Sequence, residues 1–290
     1  MTADQHTDPW KPDRYHRFRE ERSRPFHDLL RMVEAQLEED GPGGLRDALG
    51  WALDLGCGTG ELTRLLHEEL AIQRTLGVDR SAAMVERARE QRAPGLTFLR
   101  GSIEELPVAA DRRFELVFSN AALHWVDDHP ALFSRLLARL RPGGLLAVQV
   151  PANHVHASHR VAFELAGEEP FRTALGGWRR VAPVLTEVEY ALLLERLGCR
   201  AIRVRTEVYL HELDGPEDVV EWMRGTTLTA YERRLDASLH ASFVSAYRER
   251  LLAELEASRP FPFPFRRTLL CARRGDGRTP PQDSLSPRVP

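Results

Sequence analysis

The stretch that decides the fold reads Trp51-Ala52-Leu53-Asp54-Leu55-Gly56-Cys57-Gly58-Thr59-Gly60, followed by Glu61-Leu62-Thr63-Arg64-Leu65-Leu66. Trp51 to Leu55 is a short, mostly apolar run with the length of a buried strand. After three alternating glycines, leucines recur at helical spacing. A strand, a glycine turn and a helix form the first unit of a doubly wound nucleotide-binding sheet, so the sequence predicts an α/β fold. Glycine is needed in such a turn because a side chain would keep the backbone away from a ligand or would forbid a positive φ.

Two acidic residues in this stretch restrict the ligand. The dinucleotide-binding fingerprint has its third glycine three positions after the second, and that position is occupied here by Glu61. Asp54 lies just before the turn, where its carboxylate would repel a pyrophosphate. The site therefore suits a ligand with a cationic group and no phosphate, and an NAD-dependent oxidoreductase is disfavoured. The alternative is a tight strand-to-helix turn that binds nothing.

The pattern Asp-x-Gly-x-Gly-x-Gly, from Asp54 to Gly60, resembles motif I of the class I S-adenosylmethionine (SAM) methyltransferases. The resemblance implies a seven-stranded Rossmann-like sheet. It also implies that Asp54 faces the methionine end of SAM and that the backbone of the glycine loop lies against the cofactor. The first cofactor-binding candidates are Asp54, Gly56, Cys57, Gly58 and Gly60.

A further acidic residue follows at the spacing expected for a ribose contact. Thr75 to Asp79 is predicted as the second strand, and Asp79 ends it about twenty residues after the glycines. Its two oxygens can accept hydrogen bonds from both ribose hydroxyls. A helix N-cap near Ser81 is compatible with this role. Arg80 adjoins the site, and Met84 either packs on adenine or is an ordinary core methionine.

The next two predicted strands complete the cofactor-binding candidates. Leu96 to Leu99 leads to Ser102 and Ile103, and Phe114 to Phe118 leads to Asn120. Many relatives of this fold have Asp in place of Ser102. A hydroxyl accepts without charge assistance, so we expect adenine recognition to depend on Ile103 and on backbone groups. The candidates in this part of the chain are Asp79, Arg80, Met84, Ser102, Ile103 and Asn120.

An aromatic and arginine-rich arm precedes the first strand. It contains Trp10, Tyr15 and Phe18 and then Glu21-Arg22-Ser23-Arg24-Pro25. Leucine and valine at helical spacing from Leu29 to Leu37 predict a helix that ends before the glycines at 41–44. The sheet does not require this segment, so residues 1–44 are predicted either to cover one face or to form a lid over the cofactor or substrate.

The remainder of the chain predicts a methyltransferase domain over residues 45–275 with helical cap segments at about 152–185 and 215–260. The fifth strand is expected at 145–150, the sixth at 200–210 and the last at 268–272. Thr186-x-x-Glu189 is a capping box that begins a helix. Residues 276–290 are Pro-rich and short of apolar residues, and a disordered tail is expected.

Composition excludes several classes of protein. The net charge is -3, and the basic residues, almost all Arg, form no stripe that would suit nucleic acid. Three widely spaced cysteines suggest neither disulfides nor zinc. His154, His156 and His159 have no acidic or Cys partner at ligand spacing, so no metal site is predicted. With no signal peptide or membrane span expected, a cytoplasmic location is predicted, while the oligomeric state stays open and is compatible with a monomer.

Several further motifs resemble those of the trans-aconitate 2-methyltransferases. They are Trp10-x-x-x-x-Tyr15-x-x-Phe18, Glu21-Arg22-Ser23-Arg24-Pro25, Asn120-Ala-x-Leu-x-Trp125, Ala147-Val-Gln-x-Pro151-x-Asn153 and Phe265-Arg-Arg-x-Leu. The resemblance covers most of the chain and implies SAM-dependent monomethyl esterification of a small unsaturated tricarboxylate. Ser102 and the Pro-rich segment at 261–265 depart from the family pattern.

Carboxylate methylation agrees with the residues predicted at the site. A carboxylate with a pKa near ~4 is already ionised at neutral pH, so no general base is required. The protein should instead bind the other carboxylates with bidentate Arg and line the methyl channel with aromatic side chains. No residue is assigned a catalytic role on this reading. The substrate-binding candidates are Tyr15, Arg22, Arg24, Trp125, Gln149, Asn153 and Arg179.

Other activities remain open from the sequence. One is a carboxyl methyltransferase acting on an acyl-carrier thioester, which would need a basic surface for its carrier. A second is a natural-product O- or C-methyltransferase, which would use His124 as a base; otherwise His124 is a hydrogen-bonded structural residue. A third is a SAM-binding module without turnover.

Overall fold

Strands within the described part of the chain, residues 19–41 and 43–275 of the computed structural model, form one seven-stranded sheet. The order across the sheet is β3-β2-β1-β4-β5-β7-β6. The strands are β1 (Trp51–Leu55), β2 (Arg74–Asp79), β3 (Leu96–Arg100), β4 (Phe114–Asn120), β5 (Leu140–Pro151), β6 (Cys199–Leu213) and β7 (Phe261–Arg274). This is the predicted doubly wound, Rossmann-like arrangement.

The first five strands of the chain, β1 to β5, pair with one another in parallel. β1 pairs with β2 and β4, β2 with β3, and β4 with β5. Because ligands of such sheets bind beyond the carboxyl ends of the strands, the residues that end β1, β2, β4 and β5 define the edge of interest.

Ten α-helices lie within the described ranges. They are α1 (Arg19–Glu38), α2 (Glu61–Glu69), α3 (Ala82–Ala88), α4 (His129–Arg139), α5 (Ala157–Leu165), α6 (Phe171–Ala174), α7 (Glu187–Arg196), α8 (Glu217–Arg224), α9 (Thr229–Glu232) and α10 (Ala237–Glu254). Short 3-10 helices occur at Leu45–Ala48 and Leu123–Trp125. The capping box is confirmed: Thr186 accepts from the backbone N–H of Glu189, and the Glu189 carboxylate accepts from that of Thr186.

Two compact units make up the chain, each with its own apolar core. We call them the sheet unit (22–150, 183–207 and 268 onward) and the helical unit (up to residue 21, 151–182 and 208–267). In the sheet unit, Leu53, Val117 and Leu146 are fully buried in the core. In the helical unit, Trp222, Tyr247 and Phe263 are at most 2% exposed, and they belong to one apolar cluster. Both cores are built around large apolar side chains, whose burial is the main favourable term in folding.

Two strands begin at least five residues earlier than the sequence predicts, while the starts of the others agree within one residue. β5 begins at Leu140 instead of Leu145, and β7 begins at Phe261 instead of Thr268. In Phe261-Pro-Phe-Pro-Phe265 the three phenylalanines are buried and alternate with the prolines. This period of two is the strand signal, and the prolines obscured it because proline is usually excluded from strand interiors.

A buried hydrogen-bonded pair joins α4 to α7 within the sheet unit. His129 Nδ1 lies 2.6 Å from the Tyr190 hydroxyl oxygen, and Nε2 lies 3.1 Å from the carbonyl oxygen of Leu123. Nε2–H therefore donates to Leu123 while the Tyr190 hydroxyl donates to Nδ1, which requires a neutral ring. Burial lowers the pKa of His129, in agreement with that protonation state.

Tyr190→Phe is expected to lower the free energy of unfolding by about 1–3 kcal/mol, because it leaves the buried Nδ1 of His129 without a donor. Chemical denaturation of the purified protein measures this change. Leu192→Ala on the same helix is the control, since Leu192 is 53% exposed and its loss should change stability by less than about 0.5 kcal/mol. Equal stabilities for the two variants would contradict the assigned role.

Candidate functional site

The turn after β1 is folded tightly against β2. The backbone N–H groups of Gly56 and Cys57 both donate to the carbonyl oxygen of Val78, at 2.8 and 3.1 Å. Gly56 has φ +76°, and a Cβ there would lie 2.1 Å from the Cβ of Ala122. Gly60 has φ +78°, and its Cβ would lie 2.9 Å from that of Ala88. Both positions therefore require glycine, as the sequence predicts.

Gly58 forms the open side of the turn. A Cβ at Gly58 would meet no atom of the described residues within 4 Å, so a ligand can approach this backbone closely. Its N–H donates to Asp79 Oδ2 at 3.0 Å, and the N–H of Ser81 donates to Asp79 Oδ1 at 2.9 Å. Two backbone donors thus fix the half-buried Asp79 carboxylate beside the glycine loop. A carboxylate oxygen can accept more than one hydrogen bond, which is the property that binding of a ribose diol requires.

Asp54 is buried at the end of β1 and is only 5% exposed. Its Oδ2 accepts a hydrogen bond of 2.6 Å from the Thr63 hydroxyl on α2. Burial raises the pKa of Asp54 to about 7, the Thr63 hydrogen bond opposes that rise, and the charge of Asp79 adds to it. A buried carboxylate with this pKa favours a cation beside it. The site therefore fits the positively charged methionine end of SAM.

The other cofactor candidates, which follow β2 and β3 in the chain, have different environments. Met84 is buried, and its backbone N–H donates to the Ser81 hydroxyl that caps α3. Arg80 is exposed. The Ser102 hydroxyl accepts from the N–H of Glu105 at 2.9 Å, while Ile103 packs against the main core. Ser102 therefore stabilises its own turn and keeps one O–H donor for other contacts.

Asn120 and Gln149 lie side by side where β4 and β5 reach the same edge of the sheet, and they are Cα partners in the strand register. The next residue, Ala121, has φ +56°, an uncommon conformation for a residue other than glycine. Its N–H donates to the carbonyl oxygen of Gln149 at 2.9 Å. The backbone thus fixes these two amide side chains next to each other.

The 3-10 helix that follows contains His124 and Trp125. Their rings lie 4.9 Å apart and both residues are half-buried. His129 contacts this segment as well, because its Nε2–H donates to the carbonyl oxygen of Leu123. Trp125 stays a candidate for shaping a substrate channel, and the ring of His124 packs against it.

The arm enters the described part of the structure at α1. Tyr15 lies outside the described residues, and the side chain of Arg22 is also outside them. Arg24 is exposed on α1. Two residues further on, the ring of Phe26 meets that of Phe118 edge to face at 5.5 Å between centroids. Since Phe118 precedes Asn120 by two residues on β4, this contact fixes the first turns of α1 near the carboxyl end of that strand.

The last two substrate candidates belong to the helical unit. Asn153 Oδ1 accepts from the N–H of Arg266, and its Nδ2 donates to Pro264, so its amide joins β7. The Arg179 guanidinium lies over the Phe163 ring at 4.7 Å. Both side chains therefore have structural contacts within their own unit.

The three histidines at 154–159 are also part of the helical unit. Burial, together with the nearby charge of Arg180, lowers the pKa of His159 to about 3. The ring of His156 packs edge to face on Phe263 at 5.3 Å. Within the described residues, no group of three His, Cys, Asp or Glu side chains could hold a metal ion.

Thr63, whose hydroxyl donates to Asp54, is not among the residues predicted from the sequence. It lies three residues after Gly60 and is fully buried on the first turn of α2. The signal available was a polar residue at the start of an otherwise amphipathic helix, nine residues after Asp54. The sequence does not show that these two residues meet, because the contact depends on how the glycine turn places α2 against the end of β1.

Comparison with known proteins identifies the same region. A family model described as a methyltransferase domain matches residues 52–144. A trans-aconitate 2-methyltransferase of Deinococcus radiodurans is 43% identical over 271 residues, covering 91% of this chain and 98% of the relative. One from Streptomyces coelicolor is 39% identical and covers 92% of this chain and 88% of the relative.

The fold is also found among solved structures. The YcgJ protein of Bacillus subtilis superposes with a TM-score of 0.53 at 16% identity, covering 87% of this chain and all of that one. No described helix is long and apolar enough to cross a membrane. With a relative this similar along nearly its whole length, the chain belongs to the trans-aconitate 2-methyltransferase family and is a SAM-dependent methyltransferase.

Proposed function

We propose that this protein transfers the methyl group of SAM to one carboxylate of trans-aconitate and forms the monomethyl ester. The observation that supports the acceptor is the 43% identity to the Deinococcus relative of that name along 98% of its length. Fixed acidic side chains beside an open glycine loop support the cofactor. When bound, SAM supplies a methyl group on a positively charged sulfur.

The residues of the site are suited to alignment and not to proton transfer. Asp54 and Asp79 orient the cofactor from two sides of the glycine loop, and a substrate carboxylate needs no base. Excluding water favours a reaction in which opposite charges disappear together. Holding the reacting atoms in line can supply about 7–11 kcal/mol of the rate acceleration.

The acceptor is tested with labelled SAM and a panel of trans-aconitate, cis-aconitate, citrate and isocitrate. We expect trans-aconitate to have the highest kcat/KM and mass spectrometry to find one added methyl ester. Transfer to none of these acids, but to an acyl-carrier thioester or a phenol, would replace the proposed acceptor. SAM binding without transfer to any acceptor would instead indicate a binding module.

The arm, residues 1–44, is proposed to contribute to the acceptor site as a lid. Arg24→Ala is expected to raise the KM for trans-aconitate about 10-fold while the Kd for SAM stays within twofold, since a hydrogen bond to a charged group is worth about 1.5–3 kcal/mol. Arg31→Ala is the matched control, because Arg31 is exposed on the same helix and pairs with Asp28. Identical kinetics for both variants would remove Arg24 from the site.

We also propose a cytoplasmic enzyme whose partners are small molecules and not nucleic acid. The three cysteines are free and buried, the thiol state that a reducing compartment maintains. A monomer is the simplest assembly for a site formed within one chain. Light scattering of the purified protein and fractionation of cells that produce it test these two points.

A further inference from the structure

Two neighbouring amide side chains at the carboxyl edge of the sheet have polar atoms without partners. Gln149 is fully buried, and neither its Nε2 nor its Oε1 has a hydrogen-bond partner among the described residues. Asn120 Oδ1, also buried, has none there either. Buried polar atoms are almost always hydrogen-bonded in native proteins, so an orphaned amide at a predicted site indicates a ligand.

The strand register places both amides on the face of the sheet that carries Asp54. Asp54 is the Cα partner of Phe118 on β4, and Asn120 is two residues further along that strand. Side chains two apart on a strand share a face, and paired residues on neighbouring strands do too. Gln149 is the partner of Asn120 on β5. All four residues belong to the sheet unit.

The backbone around the amides is rigid and adjoins the glycine turn. Ala121 takes its left-handed conformation with its N–H bonded to Gln149. Ala122 packs so closely on Gly56 that no Cβ would fit there. A site on fixed strands holds its side chains with more precision than one on loops. The amides are therefore positioned before any ligand arrives.

The chemistry of the orphaned atoms limits the groups that can bind beside them. Asn120 Oδ1 needs a donor, which an ionised polycarboxylate lacks and the ammonium group of SAM has. Gln149 Nε2 needs an acceptor, which a substrate carboxylate and the methionine carboxylate of SAM both provide, so the cofactor affinity of a Gln149 variant is what separates the two. Buried N–H groups without an acceptor are rarer than carbonyl oxygens without a donor, so Nε2 is the more informative atom of Gln149.

We propose that Gln149 binds the carboxylate that becomes methylated, an inference that rests on the proposed function. In the transfer, the free oxygen of that carboxylate forms a bond to the methyl carbon while the carbon–sulfur bond breaks and its electron pair stays on sulfur. The negative and positive charges disappear together, and no proton moves. Gln149 Nε2–H donates to the other oxygen, which becomes the ester carbonyl.

A neutral amide suits the reacting carboxylate better than an arginine does. The hydrogen bond from Nε2 can be made to the carboxylate and to the ester alike. An arginine on the same group would be left as a buried cation facing a neutral ester, which is strongly unfavourable. Carboxylates that do not react stay charged, and bidentate arginine suits those.

The test compares Gln149→Met with wild type and with Gln36→Met. Methionine has a similar length and no amide. Gln36 is also fully buried in the sheet unit, but its Nε2 already donates to the carbonyl oxygen of Ala201 at 2.6 Å. For Gln149→Met we expect kcat/KM for trans-aconitate to fall about 50-fold, as for one lost hydrogen bond to a charged group, with the Kd for S-adenosylhomocysteine within twofold and no loss of thermal stability.

Gln36→Met should show the opposite pattern, a lower Tm with unchanged kinetics. Gln149→Glu is the second variant, which keeps the shape but repels a carboxylate, and we expect a larger loss of kcat/KM than with methionine. If wild type is active and either Gln149 variant has a kcat/KM within threefold of it, the role of Gln149 is overturned while the proposed function stands. The same holds for a Gln149→Met protein that loses cofactor affinity or stability in proportion to activity. A wild type that methylates no polycarboxylate overturns the proposed function and this inference with it.

Discussion

Asp79→Ala is expected to weaken SAM binding about 1,000-fold, the largest effect of any single change considered. Two ribose hydroxyls would each lose a hydrogen bond to a charged acceptor, and each such bond is worth about 1.5–3 kcal/mol. Removal of the carboxylate also frees the glycine loop that it fixes, and this adds to the loss of SAM affinity. Gly58 and Ser81 donate their N–H groups to its two oxygens at 3.0 and 2.9 Å.

Isothermal titration with SAM and with S-adenosylhomocysteine measures this effect. Asp79→Asn, which keeps one acceptor oxygen and loses the charge, should give an intermediate Kd. Glu86→Ala is the control, because Glu86 is an exposed acid on α3, the helix that follows β2. If Asp79→Ala bound SAM within threefold of wild type, the ribose would have to be held by other residues.

The part of the site encoded in local sequence could be predicted. β1 has the limits expected from its apolar run, Trp51–Leu55, and the turn has left-handed glycines where spacing required them. These features depend on residues within a few positions of one another, so their physical requirements are visible in the sequence. The same is true of the N-cap at Ser81 and of the capping box at Thr186.

Features that depend on distant residues could not be predicted. Tyr190 contacts His129 across 61 positions, and no periodic pattern encodes such a pair. Gln149 is a candidate through the family resemblance, but the lack of a partner for its amide among the described residues is a property of the packed fold. The Pro-rich start of β7 was not recognised as a strand because the local preference of proline opposes the burial of its phenylalanine neighbours.

The ionisation of Asp54 is another property of packing, and it leads to the second large prediction. Asp54→Asn is expected to weaken SAM binding about 300-fold at pH 8, since removing one member of a buried ion pair costs about 3–5 kcal/mol. Burial raises the pKa of Asp54 to about 7 in the free protein, and a bound cation lowers it again. Below pH 7 the wild type must release a proton to bind.

Wild-type affinity for SAM should therefore fall by up to about tenfold for each pH unit below the free pKa. The Asn variant has no such proton to release, so the ratio of the two Kd values should shrink as the pH falls from 8 to 5. Titrations in buffers of different ionisation enthalpy measure the released proton directly. A ratio that does not change with pH would show that Asp54 stays ionised in the free protein.

The same substitution should stabilise the protein in the absence of cofactor. The pKa of Asp54 is raised from 3.8 to about 7 on folding, so the folded state binds this proton more tightly than the unfolded state. The carboxylate therefore destabilises the fold increasingly as the pH rises from 3.8 to about 7, by up to about 4 kcal/mol above that. Ligand-free Asp54→Asn should have a higher Tm than wild type at pH 8 and the same Tm near pH 4. A variant that lost both SAM affinity and stability at pH 8 would indicate that Asp54 supports the fold. A variant that loses SAM affinity but gains stability identifies a carboxylate that is kept charged for its ligand at the expense of stability.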